Sequence, residues 1–160
     1  MRDGGFEFLD PGELVDIDLS LVLVRKIPAN PRIGLVPAYD FEMRSAIEPA
    51  AVAGTINFRA VDAENLRLYG GHFGYGVEPR FRGRHYAERS VRLLLPFAAR
   101  HGYCSVIITC NPDNWPSRRT CERLGGKLLE IVPLPPDNDM YLAGERLKCR
   151  YEIDLGDVAS

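Results

Sequence analysis

The stretch densest in reactive side chains is RFRGRHYAERSVRLLL, residues 80–95, in which five arginines and a glycine precede and enter a run that turns apolar at helical spacing. A helix start leaves about four backbone N–H groups without intrahelical partners and carries roughly half a positive charge. Arg80, Arg82, Gly83 and Arg84 placed just ahead of such a start make an anion cradle. Glycine lets the main chain approach a phosphate, and the arginines supply charge-assisted contacts. The expected ligand is a phosphate or diphosphate; a solvated basic helix cap is the plain alternative. The sequence contains neither GxxxxGK[ST] nor GxGxxG, which sets aside the triphosphate loop and the dinucleotide fingerprint. Just upstream, GHFGYGVE at 71–78 reads as a strand weakened by glycines at 74 and 76. Glycine inside a strand marks a bulge or a ligand lying against the backbone.

These groups need elements to hold them. Ala87, Val91, Leu94, Leu95 and Ala98 fall at i, i+4, i+7, i+8 and i+11, one face of an amphipathic helix ending near His101 and Gly102. Pro96 is expected to kink it. CSVIIT follows as a buried strand, and in NPDNWPSRRTCERLGG Asn114 is a candidate N-cap, with Pro116 in the first turn and Gly125 or Gly126 closing a second helix. Earlier strands are expected at 19–24, around Tyr39, Phe41 and Met43, which alternate with polar neighbours, and at 54–61. After residue 126 the chain reads as a strand, a polar loop and a final strand. The class is therefore α/β (α+β), a mixed sheet with one parallel region and flanking helices. With 160 residues, 46% of them hydrophobic and 26% charged, the expectation is one globular domain, 1–160. Lys and Arg number 20 against 22 Asp and Glu, a net charge of −2, which argues against nucleic acid as partner. The start MRDGGFEFLDPGEL lacks the positive, apolar pattern of a signal peptide, and no apolar run approaches a membrane span. A cytoplasmic protein with no membrane partner is expected. Cys104, Cys110, Cys121 and Cys149 show no CxxC spacing, so four reduced thiols and no metal site are expected.

Two segments together resemble the GNAT superfamily of acyl-CoA-dependent N-acetyltransferases. GYGVEPRFRGRHYAERSVRLLL is similar to its cofactor segment, with a V-x-P-x-x-R-G turn and the signature [QR]-x-x-G-x-[GA] falling on Arg80, Gly83 and residue 85. NPDNWPSRRTCERLGG is similar to its second segment, N-x-x-S followed by E-[KR]-L-G, on Asn114, Ser117, Glu122, Arg123, Leu124 and Gly125. The resemblance, which extends to a bacterial subgroup of predicted acetyltransferases, spans roughly residues 52–132. It implies a mostly antiparallel twisted sheet with a central parallel strand pair that splays apart, acetyl-CoA lying in the V as co-substrate. Backbone groups of Arg82, Gly83, Arg84, His85, Tyr86 and Ala87 would hold the pyrophosphate. Gly76 and Val77 would pair with pantetheine, an amide near Val77 would stabilise the oxyanion, and Asn114 and Ser117 would contact the pantetheine arm.

Two positions depart from the pattern. Residue 85 is His where Gly or Ala is usual, and residue 121 is Cys where many relatives place a tyrosine thought to protonate the leaving thiolate. Cys121 stands as candidate acid or packed helix residue. His72 is the candidate base, with Tyr75 and Glu78 behind it; Asp137 and Asp139, in a long polar loop, are candidates to attract a cationic acceptor. Pro28, Pro31, Gly34 and Pro37 break any helix of useful length in the N-terminal third, where the superfamily normally has one or two. The acceptor side should then be open, or completed by a second subunit as a homodimer. The expected function is transfer of an acetyl group from acetyl-CoA to an amine-bearing small molecule or protein by direct attack. The alternative is a catalytically silent acyl-CoA-binding module.

Overall fold

The computed structural model describes residues 6–156. Residues 1–5, where the reading for a targeting signal begins, lie outside it. Strands β1 (Leu14–Asp16), β2 (Leu19–Ile27), β3 (Ala38–Ser45), β4 (Val52–Arg59) and β5 (Phe73–Val77) form one antiparallel sheet in that order. Helix α1 (Tyr86–Arg100), strand β6 (Ser105–Cys110), helix α2 (Trp115–Arg123), strand β7 (Lys127–Pro133), the short helix α3 (Asp139–Leu142) and strand β8 (Leu147–Asp154) follow. The last three strands make a second antiparallel sheet, β6-β8-β7. Among the described residues no helix is long and apolar enough to cross a membrane.

Alternation explains the first sheet. Tyr39, Phe41 and Met43 on β3 and Ile56 and Phe58 on β4 are buried under α1 with Val91, Leu94 and Phe97. The intervening residues Asp40, Glu42, Thr55, Asn57 and Arg59 belong to the opposite face, as a period of two requires. No helix lies between β2 and β3, only a single 3₁₀ turn, Pro31–Ile33, closed by the bridge of Asn30 to Leu35. The prolines have the effect expected of them. Helix α1 continues to Arg100 although Pro96 stands inside it, exposed to solvent.

The mixed α/β class stands, but the central parallel pair is not a ladder. β5 and β6 belong to different sheets. They meet at one end, where His72 N donates to Ile107 O (2.7 Å). Gly71 makes that junction, with φ +73° and an ideal Cβ position only 3.1 Å from Thr109 N. A side chain there would meet both strain and a backbone atom. Past the junction no ladder joins the two strands, and a cleft lies between β5, the start of α1 and the start of α2.

Candidate active site

The cleft is walled by the open edge of β5. Arg59 N donates to His72 O and Glu78 N to Ala53 O (both 2.8 Å), so by strand periodicity residues 74 and 76 turn their backbone groups to β4. Tyr75 and Val77 turn theirs to the cleft, and the Val77 carbonyl accepts from Arg82 Nε at 3.3 Å. The cleft measures about 620 Å³ and lies between β5, the start of α1 and the start of α2. Gly76, Val77, Arg82, Gly83, His85, Tyr86, Ala87, Asn114 and Ser117 all line it.

At its α1 end the chain turns through two left-handed residues, Gly83 (φ +86°) and His85 (φ +59°), before entering α1. No side chain caps α1 at His85, so its first N–H groups keep their capacity to bind an anion. An added Cβ at Gly83 would meet nothing within 4 Å; the space above the turn is open. Arg80 turns away and pairs with Glu48 (3.0 Å), and Arg84 offers its carbonyl to Arg89; neither lines the cleft. Tyr86 Oη donates to Asp18 (2.7 Å) and meets Ser45 Oγ (2.6 Å), while Arg89 grips Asp16 and Asp18. These bonds from Tyr86 and Arg89 hold the Asp18 carboxyl down at about 2 and fasten α1 to the β1–β2 hairpin.

On the facing wall Asn114 caps α2 by accepting from Ser117 N (3.3 Å). Ser117 Oγ meets Tyr75 Oη across the cleft at 3.0 Å. Burial pushes the Tyr75 phenol well above its ordinary range. Arg119, Thr120 and Arg123 also line the cleft; the sequence reading had Arg123 only as part of the second segment and missed the other two. With Pro116 the three stand at i, i+3, i+4 and i+7, the helical signature of one face, which would have found them.

A family model for the acetyltransferase (GNAT) domain matches residues 29–127. The chain belongs to the GNAT acetyltransferase family. Its fold is similar to that of RimL, a ribosomal L7/L12 alpha-N-protein acetyltransferase (22% identity, TM-score 0.56, 73% of this chain and 69% of that one). It is also similar to the microcin C7 self-immunity acetyltransferase MccE, solved with acetyl-CoA and AMP (19%, 0.57, 73% and 61%). A third similar structure is the ribosomal-protein-S5-alanine acetyltransferase from Vibrio fischeri (16%, 0.59, 75% and 63%). At these identities the likeness is one of fold, and the aligned part spans less than two thirds of the MccE and Vibrio fischeri chains. No curated protein sequence matches the chain.

Four residues singled out for chemistry occupy other places in this GNAT chain. His72 is fully buried at the junction of the sheets. Its Nδ1 accepts from Ile107 N (2.9 Å), which puts the ring proton on Nε2, facing Asp62 at 3.2 Å. Burial brings its pKa down to about 4, against the opposing pull of Asp62. Cys121 is also fully buried, and the sulfur–sulfur hydrogen bond with Cys110, together with burial, pushes its thiol far up. Asp137 and Asp139 stand at the start of α3 and line neither this cleft nor its neighbour. Trp115, at the start of α2, is half exposed under the Arg118 guanidinium at 4.4 Å.

The neighbouring cleft, about 510 Å³, lies on the outer face of the first sheet and shares Tyr75 and Gly76 with the first. Asp40, Glu42, Thr55, Asn57, Arg59 and Gly74 complete its polar floor.

Proposed function

We propose that the chain is an acetyl-CoA-dependent N-acetyltransferase. The observation that carries this reading is the cleft in which the unpaired edge of β5 leads to the uncapped start of α1, in a chain of the GNAT family. Pantetheine pairs with the backbone of Tyr75 and Val77, and the pyrophosphate rests on Arg82, Gly83 and the first N–H groups of α1. Arg119 and Arg123 add positive charge from the other wall. The acceptor amine comes from the outer face. Its lone pair forms a C–N bond to the acetyl carbon, a β5 amide stabilises the oxyanion, and the C–S bond then breaks. The nitrogen's proton leaves to water and the thiolate takes one up, giving the N-acetyl amine and CoA. His72 is assigned no part in the chemistry, because a base that must meet an amine cannot be sealed at the sheet junction with Nδ1 already accepting a bond.

Acetyl-CoA should raise the melting temperature by mass action, and dephospho-CoA nearly as much, since the pyrophosphate is the main anchor. Arg82→Glu and Gly83→Glu should each abolish the shift. Normal binding by both variants would move the cradle elsewhere.

The buried Cys121, standing where the family tyrosine is expected, favours a second reading, a module that binds acyl-CoA and does not turn it over. Thiol release from acetyl-CoA with a panel of amines separates the two. The module would show the thermal shift and no release.

A further inference from the structure

The outer-face cleft contains a cation without a counter-charge. Arg59, on β4, lies over Gly74 of β5, whose ideal Cβ position is 3.6 Å from Arg59 Nη2. Its Nη1 donates to the carbonyls of Gly70 (3.1 Å) and Gly71 (3.0 Å). Among the described residues it forms no ion pair. The carboxylate whose field it feels, Asp40, is itself bonded to Arg25 at 2.7 Å, and Glu42 is likewise bonded to Arg44 at 2.6 Å. A guanidinium has five donors in a fixed fork; Arg59 lines the cleft, and among the described residues its Nε and Nη2 have no protein acceptor. Beside it, Asn57 accepts from Gly74 N (3.2 Å) through Oδ1, which leaves its NH₂ to donate. Because residues 74 and 76 are glycines, no β5 side chain covers these donors. The same strand carries Tyr75, one residue away, into the cofactor cleft.

We infer that the acceptor amine also carries a carboxylate, held by Arg59 and Asn57 over the bare backbone of Gly74. This rests on the acetyltransferase reading and names its substrate class. An anion fixed there sits on the far side of β5 from the proposed thioester, so an amine a few bonds away lies at the mouth of the V. The carboxylate belongs either to a free amino acid or to an acidic side chain of a peptide, and the experiment separates these sources.

The test measures thiol release from acetyl-CoA with two matched pairs, L-alanine against L-alaninamide and the peptide Asp-Ala-Ala against Asn-Ala-Ala. The wild type should prefer the carboxylate-bearing member of at least one pair by about tenfold or more in kcat/KM, the usual weight of a hydrogen bond to a charged group. Which pair responds identifies the source. Arg59→Gln should erase the preference while leaving the acetyl-CoA thermal shift intact. Gly74→Asp, which keeps Arg59 and its bonds to Gly70 and Gly71, should erase it by placing a tethered carboxylate in the subsite. Equal treatment of both pairs by the wild type, or a preference that survives in the folded variants, overturns the proposal. Titration of the CoA-loaded wild type with the N-acetylated members reads the same preference without turnover, and indifference there overturns it too. Loss of the acetyl-CoA shift in the wild type would instead refute the transferase reading, and the subsite with it.

Discussion

His72 shows how a residue suited to catalysis by type becomes structural by position. Its imidazole joins the two sheets, taking the Ile107 N–H on one nitrogen and facing Asp62 with the other. Burial holds its folded-state pKa at about 4, below the unfolded value of 6.5. The unfolded chain therefore binds more protons between these limits, and stability falls as the pH does. The contribution of neutral His72 is complete above about pH 6.5 and is lost as the pH drops through 4; the difference is on the order of 3 kcal/mol. Asp62, which Arg67 and His72 keep below its usual range despite burial, loses its share lower still. Denaturant titrations from pH 7 to 4 should show this decline in the wild type. His72→Asn, whose Oδ1 can still accept from Ile107, should be less stable at pH 7 and flatter between 6.5 and 4. An equally steep profile in that variant would assign the acid sensitivity to other groups.

At the scale of elements, the start of α1 combines the anion site with a local strain. Gly83 adopts its left-handed conformation freely, whereas His85 holds φ +59° with a Cβ in place, a conformation costing a non-glycine residue about 1 kcal/mol. His85→Gly should therefore stabilise the fold by up to about 1 kcal/mol, part of the gain being offset by the freer unfolded chain. His85→Val should destabilise it by at least as much, since β-branching tolerates that region least. Urea denaturation of the pair measures both; a destabilising glycine would mean that the His85 side chain contributes more than it strains. Helices α1 and α2 were legible in the sequence, whereas the single turn of α3 was read as part of a polar loop. The i, i+4, i+7 pattern gave α1, and Asn114 with Pro116 marked the start of α2, because caps and periodicity are local signals. The turn at 80–87 was legible for the same reason. The junction was not, because a histidine at the start of a glycine-weakened strand reads as a base bordering the acceptor, and its burial comes from β6, some 35 residues later. Nor was the role of Arg59, which reads as an ordinary polar strand position until the register sets Asn57 opposite Gly74.

Across the whole molecule, two antiparallel sheets meet at the His72–Ile107 contact, and helices α1 and α2 are tied together beyond it. Glu88 on α1 takes Arg92 and Arg123 together, and Arg92 Nη2 reaches the Arg123 carbonyl at 2.6 Å. The helix pair is thereby fixed while the β5 edge keeps backbone groups with no strand opposite them. Openings of such an edge lie at the low end of a protein's stability range. In the free chain the amides of Tyr75 and Val77 should exchange hydrogen faster than those of Gly74 and Gly76, which face β4 in the same short strand. CoA should reverse that order by bridging the two walls, slowing exchange at Tyr75 and Val77 and in the first turn of α1 by about tenfold or more at saturation. Residue-resolved exchange by NMR, with and without CoA, reads both ends of the ligand at once. Protection confined to α1 would place the phosphates correctly and send pantetheine out of the V. Protection confined to β5 would keep the V and remove the anion site from residues 82–87.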